Sequence, residues 1–210
     1  MKYSHIIWDF NGTILDDVWT GITSVNTLLS ARGLKTLESV EEYHKVFGFP
    51  IIDYYKRLGF NFDSEPYDKI AHEWVALYLE NVKHAPLCHG VREILEEISS
   101  RGIPQIILSA TEKDMLEAQL SELGIRDYFS EVLGLDNIYA HSKIELGMAW
   151  MDRVKPERVL FIGDTEHDAK TAKNMGVECV LISGGHQSDE KLTECGVPVL
   201  KNLLEIKKIL

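Results

Sequence analysis

A carboxylate, an amide and a glycine follow the first apolar run of the chain, in Asp9-Phe10-Asn11-Gly12-Thr13. That run, Ile6-Ile7-Trp8, reads as a buried strand, which puts Asp9 at a strand's carboxyl end, where an α/β sheet opens onto its ligands. Gly12 lets the backbone turn sharply beside a bound anion; Asp, Asn and Gly are equally ordinary turn residues, so a plain turn stays open. A second cluster, Gly163-Asp164-Thr165-Glu166-His167-Asp168, follows the apolar run at 159–162. Asp164 and Asp168, at a strand end leading into a helix, are spaced to share one hard cation through oxygen ligands. The alternative is that Asp164 or Thr165 caps that helix, with the acids favouring its dipole. Ser109 and Ala110 close a third run and offer a hydroxyl and backbone amides to a phosphate oxygen, or else a helix cap. Lys143 stands where a helix begins, and a cation there opposes the dipole. It is misplaced for a purely structural role, although most lysines are simply solvated.

The elements that must position these groups are legible in the hydrophobic pattern. Runs at 6–8, 103–108, 159–162 and 177–182, and a weaker one at Val132-Leu133, are largely apolar, as strands covered on both faces should be. Amphipathic helices separate them at 91–101, 115–123 and 169–175, each followed by a glycine: Gly102, Gly124 and Gly176. Alternating strand and helix implies an α/β fold, a doubly wound (Rossmann-like) mainly parallel sheet. One stretch breaks the alternation. From Val18 to Ala85 the pattern is helical: Val18, Ile22, Val25 and Leu29 share a face, Ser39 and Glu42 form a capping-box pair, and further helices span 51–58 and 66–83. The expected organisation is therefore a core domain of residues 1–16 and 86–210 with a helical cap domain at 17–85.

Composition limits the function classes. With 33 acidic against 22 basic residues, the net charge of −11 repels nucleic acid and anionic membranes, so neither is expected as a partner. No run reaches the ~18 apolar residues of a membrane span, and the N-terminus shows no signal peptide. The three cysteines, Cys88, Cys179 and Cys195, have no CxxC spacing and read as reduced thiols of a cytoplasmic protein. The eight histidines form no HxH or HxxxH pair, which argues against zinc.

Taken in order, Asp9, Ser109, Lys143 and the Asp164/Asp168 pair resemble the four signature motifs of the haloacid dehalogenase (HAD) superfamily. That family's pattern is DxDGT, then a strand ending in Ser or Thr, then Lys, then GDxxxD. The resemblance covers nearly the whole chain, includes a helical C1 cap after the first motif, and is similar in layout to phosphoglycolate phosphatase-like members. It implies a Mg²⁺-dependent phosphatase acting on a small phosphorylated metabolite. Asp9 would be the nucleophile that forms an aspartyl-phosphate. Asp9, the backbone carbonyl of Asn11 and Asp164 would hold Mg²⁺, with Asp168 completing or supporting the set. Ser109, Lys143 and amides around Gly12 and Ala110 would bind phosphate oxygens. A phosphate dianion approaches carboxylates only if cations screen it, and Mg²⁺ with Lys143 would supply that screening.

Asn11 departs from the family pattern, which has a second, proton-transferring Asp there. An amide does not exchange a proton at neutral pH, and general acid–base catalysis is worth roughly 10²–10⁴ in rate. Slow turnover on poor leaving groups is expected, unless His186 or His167 takes the role or the substrate has a good leaving group such as an acyl phosphate. A non-hydrolytic binder of phosphorylated ligands and a haloacid dehalogenase are the alternatives; the retained acid pair counts against the latter, which needs no metal. Within the cap, the Gly48-Phe49-Pro50 turn is expected to reach the substrate, with Lys45 and Arg57 near enough in sequence to meet a second anionic group.

Overall fold

The computed structural model describes residues 2–139 and 142–210. Six parallel strands form one sheet: β1 (His5–Trp8), β2 (Gln105–Glu112), β3 (Glu131–Leu135), β4 (Val159–Gly163), β5 (Glu178–Ile182) and β6 (Val199–Leu200), in the order β3-β2-β1-β4-β5-β6. Every strand pair is parallel, so each connection must cross over a face of the sheet. Helices do this: α5 (Val91–Ser100), α6 (Lys113–Glu122), α7 (Ile144–Val154), α8 (Glu166–Met175) and a short α9 (Asp189–Thr193). The chain winds outward from β1 to β3, then returns to β4 on the other side of β1. That reversal between β1 and β4 is where a doubly wound sheet leaves a crevice.

The two faces of the sheet are both dry because successive strand side chains alternate. Ile6, Trp8, Ile107, Leu160 and Ile162 pack beneath α5 and α6 with Val91, Ile94, Leu95 and Leu116. Ile7, Ile106, Leu108 and Phe161 pack on the opposite face against Trp150 of α7 and Ala172 and Met175 of α8. The glycines expected to end helices do so: Gly102, Gly124 and Gly176 all have positive φ. β2 runs four residues past its expected end, through an irregularity between Leu108 and Glu112. The last strand, two residues long, is too brief for periodicity to reveal.

Between β1 and β2 lie α1 (Val18–Ala31), α2 (Val40–Val46), α3 (Ile51–Arg57) and α4 (Tyr67–Asn81), packed around their own cluster, including Ile22, Val25, Leu29, Tyr54 and Ile70. Ser39 caps α2 by accepting from the Glu42 amide, but the Glu42 carboxylate reaches back to the amide of Glu38 instead of Ser39. Arg32, just past α1, pairs with Glu65 and Glu73 and ties α1 to α4.

Ile107→Ala, in a central strand with no solvent exposure, should lower unfolding free energy by about 2–5 kcal/mol. Trp19→Ala, at a side chain 57% exposed, should change it by about 0.5 kcal/mol or less. Urea denaturation midpoints of the two variants check the contrast.

Candidate active site

Asp9 follows β1, and its amide donates to the Ile162 carbonyl of β4 at 2.8 Å. Trp8 lies opposite Ile162 in the ladder. The register thus sets Asp9 beside Gly163 and brings Asp164 to the same rim, across the crevice where the strand order reverses. Asp9, Asp164 and Asp168 are all buried, and one carboxylate oxygen from each lies within 4.8 Å of the others. Lys143, immediately before α7, sends its ammonium into the cluster. It pairs with Asp9 Oδ1, lies 2.7 Å from Asp168 Oδ1 and donates to the Leu108 carbonyl at 2.9 Å.

The helix-cap reading of the second motif holds in part. Thr165 caps α8 through a capping box with Asp168, whose Oδ2 accepts from the Asp164 amide, the Thr165 amide and the Thr165 hydroxyl. Capping and ion pairing therefore occupy Asp168 from both sides. Asp164 is held by donors of a different origin: Thr13 Oγ1 at 2.8 Å and the His186 amide at 2.7 Å. Three glycines make this approach possible. A Cβ on Gly12, whose φ is +70°, or on Gly185 would strike the Asp164 carboxylate, and one on Gly163 would strike Asp168.

The charges do not balance. The His186 cation is balanced by buried Asp17, with which it pairs, so three buried carboxylates face one ammonium and a deficit of two positive charges is left. Burial pushes the Asp9 carboxyl well above its usual range, the Asp168 charge adds to this, and Lys143 only partly opposes it. Asp164 is raised by burial to about 6, with His186 pulling against the shift. Asp168 is held low despite burial because Lys143 sits on it. For Lys143, burial favours the neutral form but Asp168 and Asp9 outweigh it, so it stays charged. A hard dication matches both the missing charge and the all-oxygen donor set.

Asn11 is locked in place. Its amide group donates to Asp17 Oδ2 and to the Tyr78 hydroxyl, each at 2.8 Å, and its carbonyl accepts from Thr111 Oγ1 at 2.7 Å. Asp17, 2% exposed just before α1, also accepts from Tyr78 and from the Gly12 amide. Gly12 is therefore no donor for a ligand: its N–H is taken by Asp17 and Leu15. The amides of Phe10 and Asn11 meet no acceptor among the described residues and are the free pair beside Asp9. Ser109 and Ala110 line the cleft as expected, with Ser109 bonded to Thr111 rather than capping α6, whose cap is Glu112.

His186 comes into the site, but not as a free proton donor. Nε2 lies 3.1 Å from Asp17 Oδ1 and Nδ1 lies 2.7 Å from the Tyr43 hydroxyl. Burial disfavours its cation, but Asp17 overrides this and lifts its pKa to about 9. His167 goes the other way: burial and Lys143 lower it to about 4, and Phe49 stacks on it at 4.3 Å. The Gly48-Phe49-Pro50 turn thus places Phe49 in the cleft. Lys45 is exposed, and the Arg57 guanidinium is turned to the Val46 carbonyl, so neither lines it. Asp17, Tyr43, Tyr78, Thr111 and Gly185 escape sequence reasoning, since none carries a local motif. Asp17, an acid one turn past DFNGT, is the one visible hint.

A family profile described as haloacid dehalogenase-like hydrolase matches residues 6–182. The chain belongs to this family, and the enzyme class read from its motifs, a phosphatase of that family, stands. Among curated relatives, a phosphoglycolate phosphatase of Nitrosococcus oceani is 29% identical over 98% of this chain and 95% of its own. Another, from Pseudomonas syringae pv. tomato, is 26% identical over 90% of this chain and 72% of its own. A haloacid dehalogenase-like hydrolase from Streptococcus pneumoniae superposes with a TM-score of 0.85 at 20% identity, covering 99% of this chain and 98% of that one. No helix among the described residues is long and apolar enough to cross a membrane.

The His186 pair predicts an alkaline loss of stability. A histidine whose folded pKa is raised stabilises fully below its ordinary value of about 6.5 and loses that contribution as pH climbs through the folded value. Denaturation midpoints of metal-free protein should fall between pH 7 and about 9.5, through the raised value of about 9. Asp17→Asn should flatten this slope.

Proposed function

We propose that the protein is a Mg²⁺-dependent phosphomonoesterase that works through an aspartyl-phosphate on Asp9, with residues 17–85 acting as a cap over the site. The observation that carries this reading is the two-charge deficit of the buried Asp9–Asp164–Asp168–Lys143 cluster. Asp9, Asp164 and the backbone carbonyl of Asn11 would hold the ion, with Asp168 anchoring Lys143 behind them. Bound there, Mg²⁺ would supply Lewis-acid polarisation of a phosphate oxygen and screening of its charge.

The chain's own groups account for the rest. Lys143 holds the Asp9 carboxylate in one orientation and neutralises part of the incoming phosphate charge. The free amides of Phe10 and Asn11 are preorganised donors for equatorial phosphate oxygens, with Ser109 and Thr111 on the opposite wall. Asp9 attacks phosphorus, the ester oxygen leaves, and water later cleaves the aspartyl-phosphate. Asn11 gives the leaving oxygen no proton. His186 keeps both ring nitrogens on Asp17 and Tyr43, and His167 is neutral at pH 7, so neither is set up to substitute as an acid. Good leaving groups should therefore turn over much faster than alkoxides. Phosphoglycolate, named for the relatives, has an alkyl leaving group and would be a slow substrate. The same locked Asn11 favours a second reading, a binder of phosphorylated ligands with little turnover.

p-Nitrophenyl phosphate tests the proposal. Hydrolysis should require Mg²⁺, stop with chelator and vanish in Asp9→Asn, with label from ³²P-substrate retained on Asp9 after acid quench. No Mg²⁺-dependent hydrolysis would leave the binding reading. Asn11→Asp should raise kcat on alkyl phosphates by about 10²-fold, at the low end of general acid catalysis, because the new carboxyl faces the ionised Asp17, whose charge makes it a weaker acid. Its rate on p-nitrophenyl phosphate should stay within a few-fold, and the ratio of the two rates checks the prediction.

A further inference from the structure

The cleft has two chemically different ends. At the sheet end lie Asp9, Lys143, the Asp164/Asp168 pair and the free amides. At the other end the helical segment contributes Phe47, Tyr54, Tyr55, Tyr67, Trp74 and Val75. Among the described residues lining the cleft, Lys143 is the sole Lys or Arg, and it is spent on Asp9, Asp168 and the Leu108 carbonyl. His186, the other group in the lining whose cation is favoured, is committed to Asp17, so among the described residues lining the cleft no free cation remains for a carboxylate or second phosphate on the far side of a substrate. A charge placed there would lose its hydration without a partner, at a penalty of several kcal/mol.

We infer that the leaving group of the substrate is an uncharged aromatic ring, seated among these aromatic side chains. The inference rests on the phosphatase reading for the phosphate end of the cleft and names the class of ester it takes. Two further observations point the same way. Tyr54 and Tyr55 are buried, line the cleft and hydrogen-bond to no described residue, which leaves two neutral donors inside an apolar wall for a neutral ring substituent. Asn11 supplies no acid, and a phenolic or enolic oxygen leaves without one, because its conjugate acid is several orders of magnitude stronger than an alcohol. Aromatic rings prefer edge-to-face or offset contacts with others, and the wall already presents such pairs in Tyr43–Tyr54 and Tyr55–Tyr67.

Binding of non-hydrolysable analogues to the Mg²⁺-loaded full chain separates recognition from catalysis. Calorimetry should show benzylphosphonate binding at least about tenfold more tightly than phosphonoacetate, which carries a carboxylate where the ring would be. Val75→Arg, which puts a cation into the wall, should reduce or reverse that preference. Equal or tighter binding of phosphonoacetate by the unaltered protein overturns the inference. Tight benzylphosphonate binding by a protein that hydrolyses no phosphate ester removes the catalytic proposal, and the aromatic recognition site inferred here then stands for a ligand that is bound and not cleaved. Failure of both phosphonates to bind overturns the inference, and hydrolysis of p-nitrophenyl phosphate decides the catalytic proposal separately.

Discussion

Everything in this site follows from burying three carboxylates around a single ammonium. In water such a cluster would be harmless. Enclosed between β1, β4 and α8, with Asp164 fully buried and Asp168 only 1% exposed, it demands either protons or more positive charge. The raised state of Asp9 and Asp164 registers that demand. The surrounding structure keeps the carboxylates together rather than letting them part: three glycines admit the side chains, Thr13 and the His186 amide pin Asp164, and the α8 cap pins Asp168. A site that holds like charges together is preorganised for an ion and for the transition state that the ion stabilises.

Around that base runs a second network, which links the inserted helices to the sheet. Asp17 collects hydrogen bonds from Asn11, Gly12 and Tyr78 and pairs with His186, and His186 in turn meets Tyr43. The His44 ring adds a contact to the Gly185 carbonyl at 2.9 Å. Asn11 sits at the junction of both networks. An aspartate there would confront Asp17 directly, so the amide at position 11 and the acid at position 17 are chemically matched: one donates where the other accepts. The departure from the family motif is thus built into the second network rather than being an isolated change.

Much of this was readable from residue types and spacing. Asp9, Asp164 and Lys143 announce themselves because each stands at the end of an apolar run or the start of a helix, and strand ends converge in a doubly wound sheet. The two dry faces follow from strands with no polar alternation. What stayed hidden depends on contacts between distant segments. Asp17 and His186 are 169 positions apart, and nothing local to either residue marks the pair. Tyr78 reads as one more apolar position of a cap helix until its hydroxyl meets Asp17. The Gly12 amide looks free in a DxNGT loop and is consumed by a side chain five residues on. Lys45 and Arg57 lie beside the right loop in sequence, yet the helix that carries Arg57 turns its guanidinium onto Val46.

The charge deficit itself is open to direct measurement. Calorimetric titration of chelator-treated protein with Mg²⁺ should give one equivalent bound, accompanied by proton release as Asp9 and Asp164 ionise fully, and Asp164→Asn should abolish the signal while the circular dichroism spectrum is kept. A folded protein that takes up no Mg²⁺ at millimolar concentration, or binds it equally well without the Asp164 carboxylate, would contradict the account.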